Sequence, residues 1–298
     1  MVHSRSNRRF QILAHIVLII FSLFVLLPFL LLFISSFTEE STLMVNGYSY
    51  FPKKLSLESY AYIFKNAPKI FRAYGITILV TAVGTFCNIL MSSMIAYPLS
   101  LNNFPCRRII TFYLFFTMLF NGGLVPTYLM YANFFHIKNT IAALIIPSFL
   151  LSAMNVLLIR TYISTSVPDA LFEAAQVDGA SEFTIFFKIV IPLSKPILVT
   201  MGLFSGLGYW NDWTNGLYYI TDSKLYSIQN LLNKMITDIQ VLTSDSSISS
   251  QAASEISKLP AVGIRMAIAV VAMIPILVLF PFVQKYFQKG IALGAVKG

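Results

Sequence analysis

Polar and aromatic side chains are scattered through long apolar runs of this chain, where few polar groups are expected. A polar side chain in an apolar environment costs free energy unless it faces a hydrogen-bonding partner or water. These groups are therefore candidates for binding a polar solute. The amide and carboxylate candidates are Asn88, Asn121, Asn155, Asn211 and Asp212, and the aromatic candidates near them are Tyr128, Tyr131, Tyr209, Trp210 and Trp213.

The stretch YWNDW, residues 209–213, combines both kinds of side chain within one short segment. It is the strongest candidate for the lining of a solute pathway. An aromatic belt at the membrane interface explains Trp and Tyr near the end of an apolar run equally well and needs no ligand. Both interpretations stay open from the sequence.

Residues that could carry out covalent catalysis are not grouped in this sequence. The three histidines, His3, His15 and His136, lie far apart and belong to no visible nucleophile or metal-binding set. Cys87 and Cys106 show no metal-ligand spacing and are interpreted as packing residues. The sequence also lacks the G-x-x-x-x-G-K-[ST] phosphate-binding pattern, so energy for any work must come from a partner or a gradient.

The composition places the chain among membrane proteins. Hydrophobic residues make up 57% of its 298 residues and charged residues only 11%. The formal net charge of +9 could suggest nucleic acid, but Lys and Arg are dispersed between apolar runs rather than gathered on one face. We therefore expect no nucleic-acid partner.

Six uncharged or nearly uncharged runs are long enough to cross a bilayer as helices, which need about 20 residues each. A β-barrel would show shorter segments with strict alternation, so the sequence predicts an all-α membrane protein with a single transmembrane domain over residues 1–298. Lys and Arg are almost equally divided between the two sides, but their tight clusters favour cytoplasmic termini. The predicted spans are 10–37, 73–99, 109–134, 140–160, 196–220 and 266–284.

The polar segment 168–192 between the fourth and fifth predicted spans is expected to form two short helices joined at a turn. Pro168 and Asp169 favour a helix start, Gly179 permits a positive φ at its end, and a second helix is expected to close at Pro192. We call this segment the elbow.

The elbow combines acidic residues with a group of phenylalanines that an exposed loop does not normally carry, which indicates a docking surface. An interfacial helix lying on lipid is the alternative, but its polar face would favour Lys and Arg over acids. The acids are Glu173, Asp178 and Glu182, and the phenylalanines are Phe183, Phe186 and Phe187.

Two other features concern helix packing. Apolar residues at helical spacing from 225 to 239 predict an amphipathic helix outside the membrane, and a Ser-rich stretch at 243–254 follows it. Glycines on the fifth predicted span permit close approach of another helix. They are Gly202, Gly206 and Gly208.

The elbow resembles the EAA signature of permease subunits of bacterial ATP-binding cassette (ABC) importers. The match consists of Glu173, Ala174 and Ala175, then Gly179, then Ile189, Ile191 and Pro192, with Ile191 standing where the family usually has Leu. NGGLVPTYLM at 121–130, YWNDWTNGLYYI at 209–220 and the tail KGIALGAVKG at 289–298 are similar to the maltose-type carbohydrate permeases, in particular to the LplC/YtcP-like group that handles oligosaccharides.

This resemblance implies a non-catalytic subunit of an oligosaccharide importer in a bacterial cell membrane. It implies a second, homologous permease, two cytoplasmic ATPase subunits that bind ATP and Mg²⁺, and an extracellular solute-binding lipoprotein, with no cofactor bound by this chain itself. The elbow would be the coupling helix, with Glu173 as a polar anchor to the ATPase. Gly294 and Gly298 in the tail would reach between the ATPase subunits.

Two alternatives remain beside this reading. An ABC permease for an amino acid or peptide would share the elbow but not the YWNDW and GAVKG neighbourhoods. A self-powered secondary transporter would have to use Asp212 or Arg160 as its charge, and a single unpaired acid within six spans disfavours it.

Overall fold

The chain is helical wherever its structure can be described. In this computed structural model regular secondary structure consists of helices, and the backbone pairing between Thr38 and Leu55 is an isolated bridge within the described residues. The expected all-α class is therefore confirmed for that part of the chain. The described residues are 5–65, 67–244, 262–275, 277, 278 and 281.

Two long helices match the first two predicted spans. Helix α1, Arg5–Ser36, and helix α4, Ala67–Ser100, are both long and apolar enough to cross a membrane. Most large apolar side chains of α1 from Phe10 onward are exposed, as expected for a surface that faces lipid. The predicted spans 10–37 and 73–99 lie on these helices.

The described residues divide into two compact units, one drawn from 1–68 and 232–274 and the other from 69–231 and 275–298. In the first unit, helices α2, Glu40–Asn46, and α3, Glu58–Lys65, follow α1. The Glu40 carboxylate accepts hydrogen bonds of 2.8 Å from the backbone N–H groups of Val262 and Gly263. Both residues lie in the helical segment α15, Val262–Pro275, so a carboxylate distant in sequence accepts from two of its backbone N–H groups.

The third predicted span is not one straight helix. Helix α5, Arg107–Leu119, and the segment Leu124–Phe134, which comprises α6, Leu124–Leu129, and a π-helical turn, meet at a bend of 113°. The break contains Gly123 at a φ of 87°, a conformation that side chains other than glycine rarely adopt. The predicted span 109–134 therefore contains a turn, which apolar character alone does not distinguish from helix.

The fourth predicted span is also interrupted. It contains the short helix α7, Ala142–Ile145, and then α8, Ala153–Ser166. Between them, Pro147 and Ser148, with a φ of 67°, leave the helical conformation. The predicted span 140–160 is therefore not one continuous helix, because proline has no N–H for the helical hydrogen-bond ladder and Ser148 leaves the helical conformation.

The elbow leads into a broken fifth segment. The elbow consists of α9, Asp169–Val177; α10, Glu182–Ile185; a π-helical turn, Phe186–Val190; and α11, Ile191–Leu193. A bend of 80° separates Glu182–Leu193 from α12, Lys195–Asn211, and a further break precedes α13, Thr214–Tyr219. The predicted span 196–220 thus corresponds to two helices with Asp212 and Trp213 between them.

Three glycines of α12 lie near side chains of α4 and of the segment between α7 and α8. A Cβ added at Gly206 would lie 3.4 Å from the Thr85 hydroxyl oxygen, and one at Gly202 would lie 3.8 Å from Ile89. A Cβ at Gly208 would lie 3.1 Å from the ring of Phe149. Of these three glycines, Gly208 alone shows an approach tighter than ordinary contact, and its neighbour Phe149 lies between α7 and α8 rather than on a helix. The predicted role of Gly202 and Gly206 in close helix approach stays a prediction.

The remaining described elements follow α13. A 3₁₀ turn, Ser223–Leu225, precedes α14, Ile228–Ser244, so Leu225 of the expected amphipathic helix lies ahead of the helix itself. The Ile228 side chain is fully buried, and its backbone N–H donates to the Thr77 hydroxyl oxygen at 2.8 Å. Most of the Ser-rich stretch 243–254 lies outside the described residues. The same holds for most of the predicted span 266–284 after α15.

Candidate functional site

The first half of the elbow ends in a turn that requires glycine. Gly179 has a φ of 75°, and its N–H donates to the Gln176 carbonyl at 3.0 Å. The N–H of Ala180 donates to the Ala175 carbonyl at 2.9 Å, which completes the pair of bonds of a Schellman motif. Local sequence thus sets the sharp turn between α9 and α10.

The second half of the elbow begins at Ser181, whose hydroxyl oxygen accepts a hydrogen bond from the Thr184 N–H at 3.3 Å. The helix then passes through the π-helical turn and through Pro192 to Leu193. Pro192 has no N–H to donate to the turn before it, and the π-helical turn Phe186–Val190 lies just ahead of it. The chain bends at Ser194, two residues after the expected end.

Helix α9 has an inner and an outer face. Phe172 and Ala175 are 6% and 9% exposed and pack into the apolar core of the second unit. Glu173, Ala174 and Val177 are exposed on the outer face. The EAA residues are therefore divided, since Glu173 and Ala174 face outward and Ala175 faces the core.

The three phenylalanines of the elbow also divide. Phe183 and Phe187 are 68% and 53% exposed, whereas Phe186 is 4% exposed. The ring of Phe186 lies in the core with Ile185 and Val190. The expected phenylalanine surface is thus reduced to Phe183 and Phe187, because a helix turns Phe186 towards the bundle.

Tyr97 near the end of α4 joins the elbow to the membrane bundle. Its hydroxyl donates a hydrogen bond of 2.7 Å to Oε2 of Glu182, and its ring is centred 5.9 Å from Phe172 and 6.0 Å from Phe186. Sequence reasoning did not select Tyr97, and no local pattern pairs it with a residue 85 positions away. The criterion of a polar group in an apolar run would have included it.

A cavity of about 460 Å³ lies beside this contact. It separates the end of α4 and the following loop from the second half of the elbow, and its lining is almost entirely apolar. Its lining residues are Met94, Tyr97, Pro98, Leu101, Asn103, Phe104, Pro105, Glu182, Phe183 and Phe186.

Asn88 and Asn155, two candidates for the solute pathway, form an internal hydrogen-bond network. Asn88 is 1% exposed, and its Oδ1 accepts from Asn155 Nδ2 at 2.8 Å and from the Ser205 hydroxyl at 2.9 Å. Its Nδ2 donates to the carbonyls of Phe149, at 2.6 Å, and Leu150, at 3.4 Å. These carbonyls belong to the interruption between α7 and α8, so Asn88 satisfies backbone groups that the break leaves free.

Tyr209 and Trp210 also point into the protein. They are 2% and 6% exposed, and the Tyr209 hydroxyl donates to the Ile145 carbonyl at 2.9 Å. The Tyr209 ring lies so close to Gly84 of α4 that a methyl group there would overlap it. The buried indole N–H of Trp210 has no hydrogen-bond acceptor among the described residues.

The rest of YWNDW lies at the break between α12 and α13. Oδ1 of Asp212 accepts hydrogen bonds from the backbone N–H groups of Thr214 at 3.0 Å and Asn215 at 3.2 Å, so the carboxylate caps α13. Asn211 and Trp213 are exposed, and Asn211 Nδ2 donates to the Leu207 carbonyl within its own helix at 2.9 Å. YWNDW is thus a helix break with side chains directed both inward and outward.

A tyrosine cluster forms a further group among the pathway candidates. The ring of Tyr128 stacks on Tyr219 at 5.6 Å, and Tyr131 meets the same ring edge-on at 6.2 Å. Lys138 Nζ lies 3.4 Å from the Tyr128 hydroxyl. Asn121, by contrast, is exposed, and its side chain accepts from the Gly123 N–H at 2.9 Å in the turn before α6.

Metal and tail sites add nothing to this geometry. Among the described residues no group of three or more His, Cys, Asp or Glu side chains could hold a metal ion. The tail residues Gly294 and Gly298 lie outside the described part of the chain. The elbow and the polar residues of the bundle are therefore the two candidate regions.

The family model for the inner membrane component of binding-protein-dependent transport systems matches residues 3–293. The chain belongs to this family. It is therefore a permease subunit of an ABC transport system, a membrane component of a class that does not itself catalyse a reaction. The resemblance drawn from the EAA residues is confirmed.

Individual relatives extend over nearly the full length of this permease. Protein LplC of Bacillus subtilis (strain 168) is 36% identical over 92% of this chain and 90% of its own. The polygalacturonan/rhamnogalacturonan transport system permease protein YtcP of the same organism is 35% identical over 98% of this chain and 100% of its own.

A solved structure supports the fold of the permease. The crystal structure of a bacterial ABC transporter involved in the import of the acidic polysaccharide alginate contains a chain of the same fold, with a TM-score of 0.79 and 27% identity. The match covers 96% of this permease and 99% of that chain. The permease therefore has the fold of an ABC importer subunit.

Proposed function

We propose that this permease is half of the translocation pathway of an ATP-driven importer of oligosaccharides. The observation that carries the proposal is the elbow, whose outer face exposes Glu173 and Ala174 ahead of a glycine turn at Gly179. The chain has no phosphate-binding pattern of its own, so an exposed docking surface agrees with energy supplied by a partner.

In the proposed complex this chain pairs with a second, homologous permease and with two ATPase subunits that bind ATP and Mg²⁺. A solute-binding lipoprotein delivers the oligosaccharide from outside. This chain binds no cofactor, and its single permease domain crosses the cell membrane six times with both termini in the cytoplasm. The bent and interrupted segments then count as the third, fourth and fifth spans.

The elbow acts as the coupling helix in this proposal. Glu173 and Asp178 provide polar contacts to the ATPase, Gly179 shapes the turn, and exposed rings enter its cleft. Closure of the ATPase dimer moves the elbow and tilts the attached helices, which opens the pathway alternately to the two sides. The exposed rings are Phe183 and Phe187. Ile189 packs against the core, and Pro192 lies in α11 at the end of the elbow. Gly294 and Gly298 reach between the ATPase subunits.

Two arguments support oligosaccharides as the solutes: the chemistry of the candidate side chains and the names of relatives. Aromatic rings match the apolar faces of sugar rings, and amide or carboxylate groups match their hydroxyls. Asn121, Asn211 and Trp213 are exposed and available for such contacts. The relative YtcP is named for polygalacturonan and rhamnogalacturonan, and the structural relative takes part in alginate import.

The self-powered alternative has less support. Asp212 caps α13, and Arg160 Nε donates to the Leu99 carbonyl at the end of α4 at 3.0 Å. Both charges thus have structural partners that account for their presence. An amino-acid or peptide permease would share the elbow, and uptake measurements separate it from the proposal.

Crosslinking tests the docking of the elbow. A Cys87→Ser/Cys106→Ser background with Ala174→Cys should crosslink to the co-expressed ATPase, since Ala174 is on the outer face of α9. Phe51→Cys is the matched control, because Phe51 is 90% exposed and lies on the opposite side of the membrane in the proposed topology. Crosslinking from position 51 but not from 174 would contradict the proposal.

Uptake into proteoliposomes tests the solute. The complete complex should take up labelled oligogalacturonides when ATP is present, and vanadate should stop this uptake. Labelled amino acids and a tripeptide serve as the comparison. Vanadate-sensitive uptake of the tripeptide alone would favour the peptide permease.

A further inference from the structure

Tyr97 lies near the end of α4, where this helix contacts the elbow. Tyr97 is only 6% exposed, yet its hydroxyl donates to Oε2 of Glu182, an exposed residue of the elbow, at 2.7 Å. A hydrogen bond to a carboxylate is directional and stronger than one between neutral groups. It therefore fixes the orientation of the elbow relative to α4 more firmly than apolar contact alone.

The same ring touches both halves of the elbow. Phe172 belongs to α9, ahead of the turn at Gly179, and Phe186 belongs to the π-helical turn after it. Their rings lie on Tyr97 at centroid distances of 5.9 Å and 6.0 Å. One side chain of α4 thus contacts each half of the elbow and is hydrogen-bonded to the start of its second helix.

The cavity of about 460 Å³ lies next to this contact. Met94, Pro98 and Leu101 line it from α4 and the loop after it, and Phe183 lines it from the elbow. On this side, α4 and the elbow are separated by space rather than by packed side chains. Tyr97 and Glu182 bridge the two at the edge of that space.

Helix α4 leads from Tyr97 to the hydrogen-bond network at Asn88. The two residues are nine positions apart, which is about 14 Å along a helix axis. Asn88 is bonded to Asn155 of α8, to Ser205 of α12 and to the break before α8. Displacement of α4 by the elbow would therefore reach three other segments through hydrogen bonds.

We propose that Tyr97 is a positioning residue for coupling, which through its hydroxyl on Glu182 and its ring between Phe172 and Phe186 makes the elbow and α4 move as one body. The proposal rests on the proposed function, since it assumes that the ATPase moves the elbow. Its consequence is that loss of the hydroxyl lets the elbow move while α4 lags behind.

The test is a distance measurement in the complete transporter. Spin labels are attached to native Cys106, which is exposed in the loop after α4, and to Val177→Cys, which is 87% exposed on α9, in a Cys87→Ser background. Pulsed electron spin resonance then gives the distance distribution between the labels without nucleotide and after trapping with ATP and vanadate. The amount of ATPase that co-purifies is recorded for each variant.

With Tyr97 present, trapping should leave the mean and width of the distribution unchanged. Tyr97→Phe keeps the ring and removes only the hydroxyl, and it should broaden and shift the distribution after trapping. Glu182→Ala should act in the same way, whereas Glu182→Gln should largely restore the original behaviour because its amide oxygen still accepts. Tyr113→Phe, at a residue 64% exposed on α5, is the matched control.

The possible failures are distinguishable. If ATPase fails to co-purify with the unchanged chain, the proposed function is wrong and this inference falls with it. If ATPase is bound but Tyr97→Phe and Glu182→Ala give the same distributions as the unchanged chain, only the inference is overturned. Should Tyr97→Phe fail to assemble, the comparison of Glu182→Ala with Glu182→Gln decides the question in the same way.

Discussion

The elbow and the polar interior of the bundle use the same kinds of residue in opposite ways. In the elbow, Glu173 and Phe183 are exposed, and the turn that presents them depends on hydrogen bonds between neighbours in sequence. In the bundle, Asn88 and Tyr209 are buried, and their partners lie 61 to 117 positions away in sequence. Exposure without a partner indicates docking, whereas burial with complete partners indicates support of the fold.

This difference shows that a polar residue in an apolar run does not by itself identify a solute pathway. Asn88 and Asn155 satisfy each other, Ser205 and two backbone carbonyls freed by a helix break. A buried polar group with such partners stabilises one arrangement of helices. We therefore expect changes in the bundle to act on stability first, and changes on the outer face of the elbow to act on coupling.

Replacement of a buried and of an exposed phenylalanine of the elbow should give the largest difference in stability. Phe186→Ala should lower the free energy of unfolding by about 3–5 kcal/mol, because it leaves a cavity in the core. Phe183→Ala, the matched change at an exposed ring, should alter it by less than about 0.5 kcal/mol while reducing uptake. Thermal unfolding of the purified complex and ATP-dependent uptake are the measurements. Equal destabilisation by both changes would remove the distinction between the two faces.

Asn88→Leu should have the next largest effect. It takes the Asn88 donor from the Phe149 carbonyl and removes the oxygen that accepts from both the Asn155 amide and the Ser205 hydroxyl, and we expect a loss of about 2–4 kcal/mol in stability. Asn133→Leu is the control, because the Asn133 side chain is exposed and its loss removes no buried hydrogen-bond partner. Denaturation of the complex in detergent measures both. A stable Asn88→Leu complex with impaired uptake would instead favour direct contact of Asn88 with the solute.

Gly179→Val should mainly affect coupling. A β-branched residue at a φ of 75° is strained by about 1–2 kcal/mol, so the turn between α9 and α10 should open. ATPase co-purification and uptake should both fall, while the helical circular dichroism of the complex remains. Gly179→Asn should be milder, since asparagine tolerates this conformation better. Full coupling in a well-expressed Gly179→Val complex would contradict the assignment of the elbow.

Asp212 offers the smallest effect on stability and separates capping from solute contact. Asp212→Ala should lower stability by about 1 kcal/mol through loss of the cap on α13, and Asp212→Asn should preserve most of it because the amide oxygen accepts from the same N–H groups. If the carboxylate also lines the pathway, uptake should fall in both variants. Normal uptake by Asp212→Asn would leave Asp212 with the capping role alone.

Local features of the elbow were readable from the sequence with little loss. The start at Pro168 and Asp169, the turn at Gly179 and the second helix ending near Pro192 were expected, and the structure has them within a few residues. The sequence could not predict which phenylalanine rings face the core and which are exposed, as Phe186 shows. Its neighbours Tyr97 and Val190 are brought to it by the packing of α4 and by the π-helical turn.

The sequence by itself determined the class of the protein, the apolar helices and the elbow, because hydropathy, helix capping and the φ preference of glycine act over a few adjacent residues. The tertiary structure alone decided which polar groups are satisfied. Asn88 meets Asn155, and Tyr97 meets Glu182, only after helices distant in sequence have packed together. No local property records such pairs, since hydrogen bonding depends on the distance and direction of two groups that folding brings into contact.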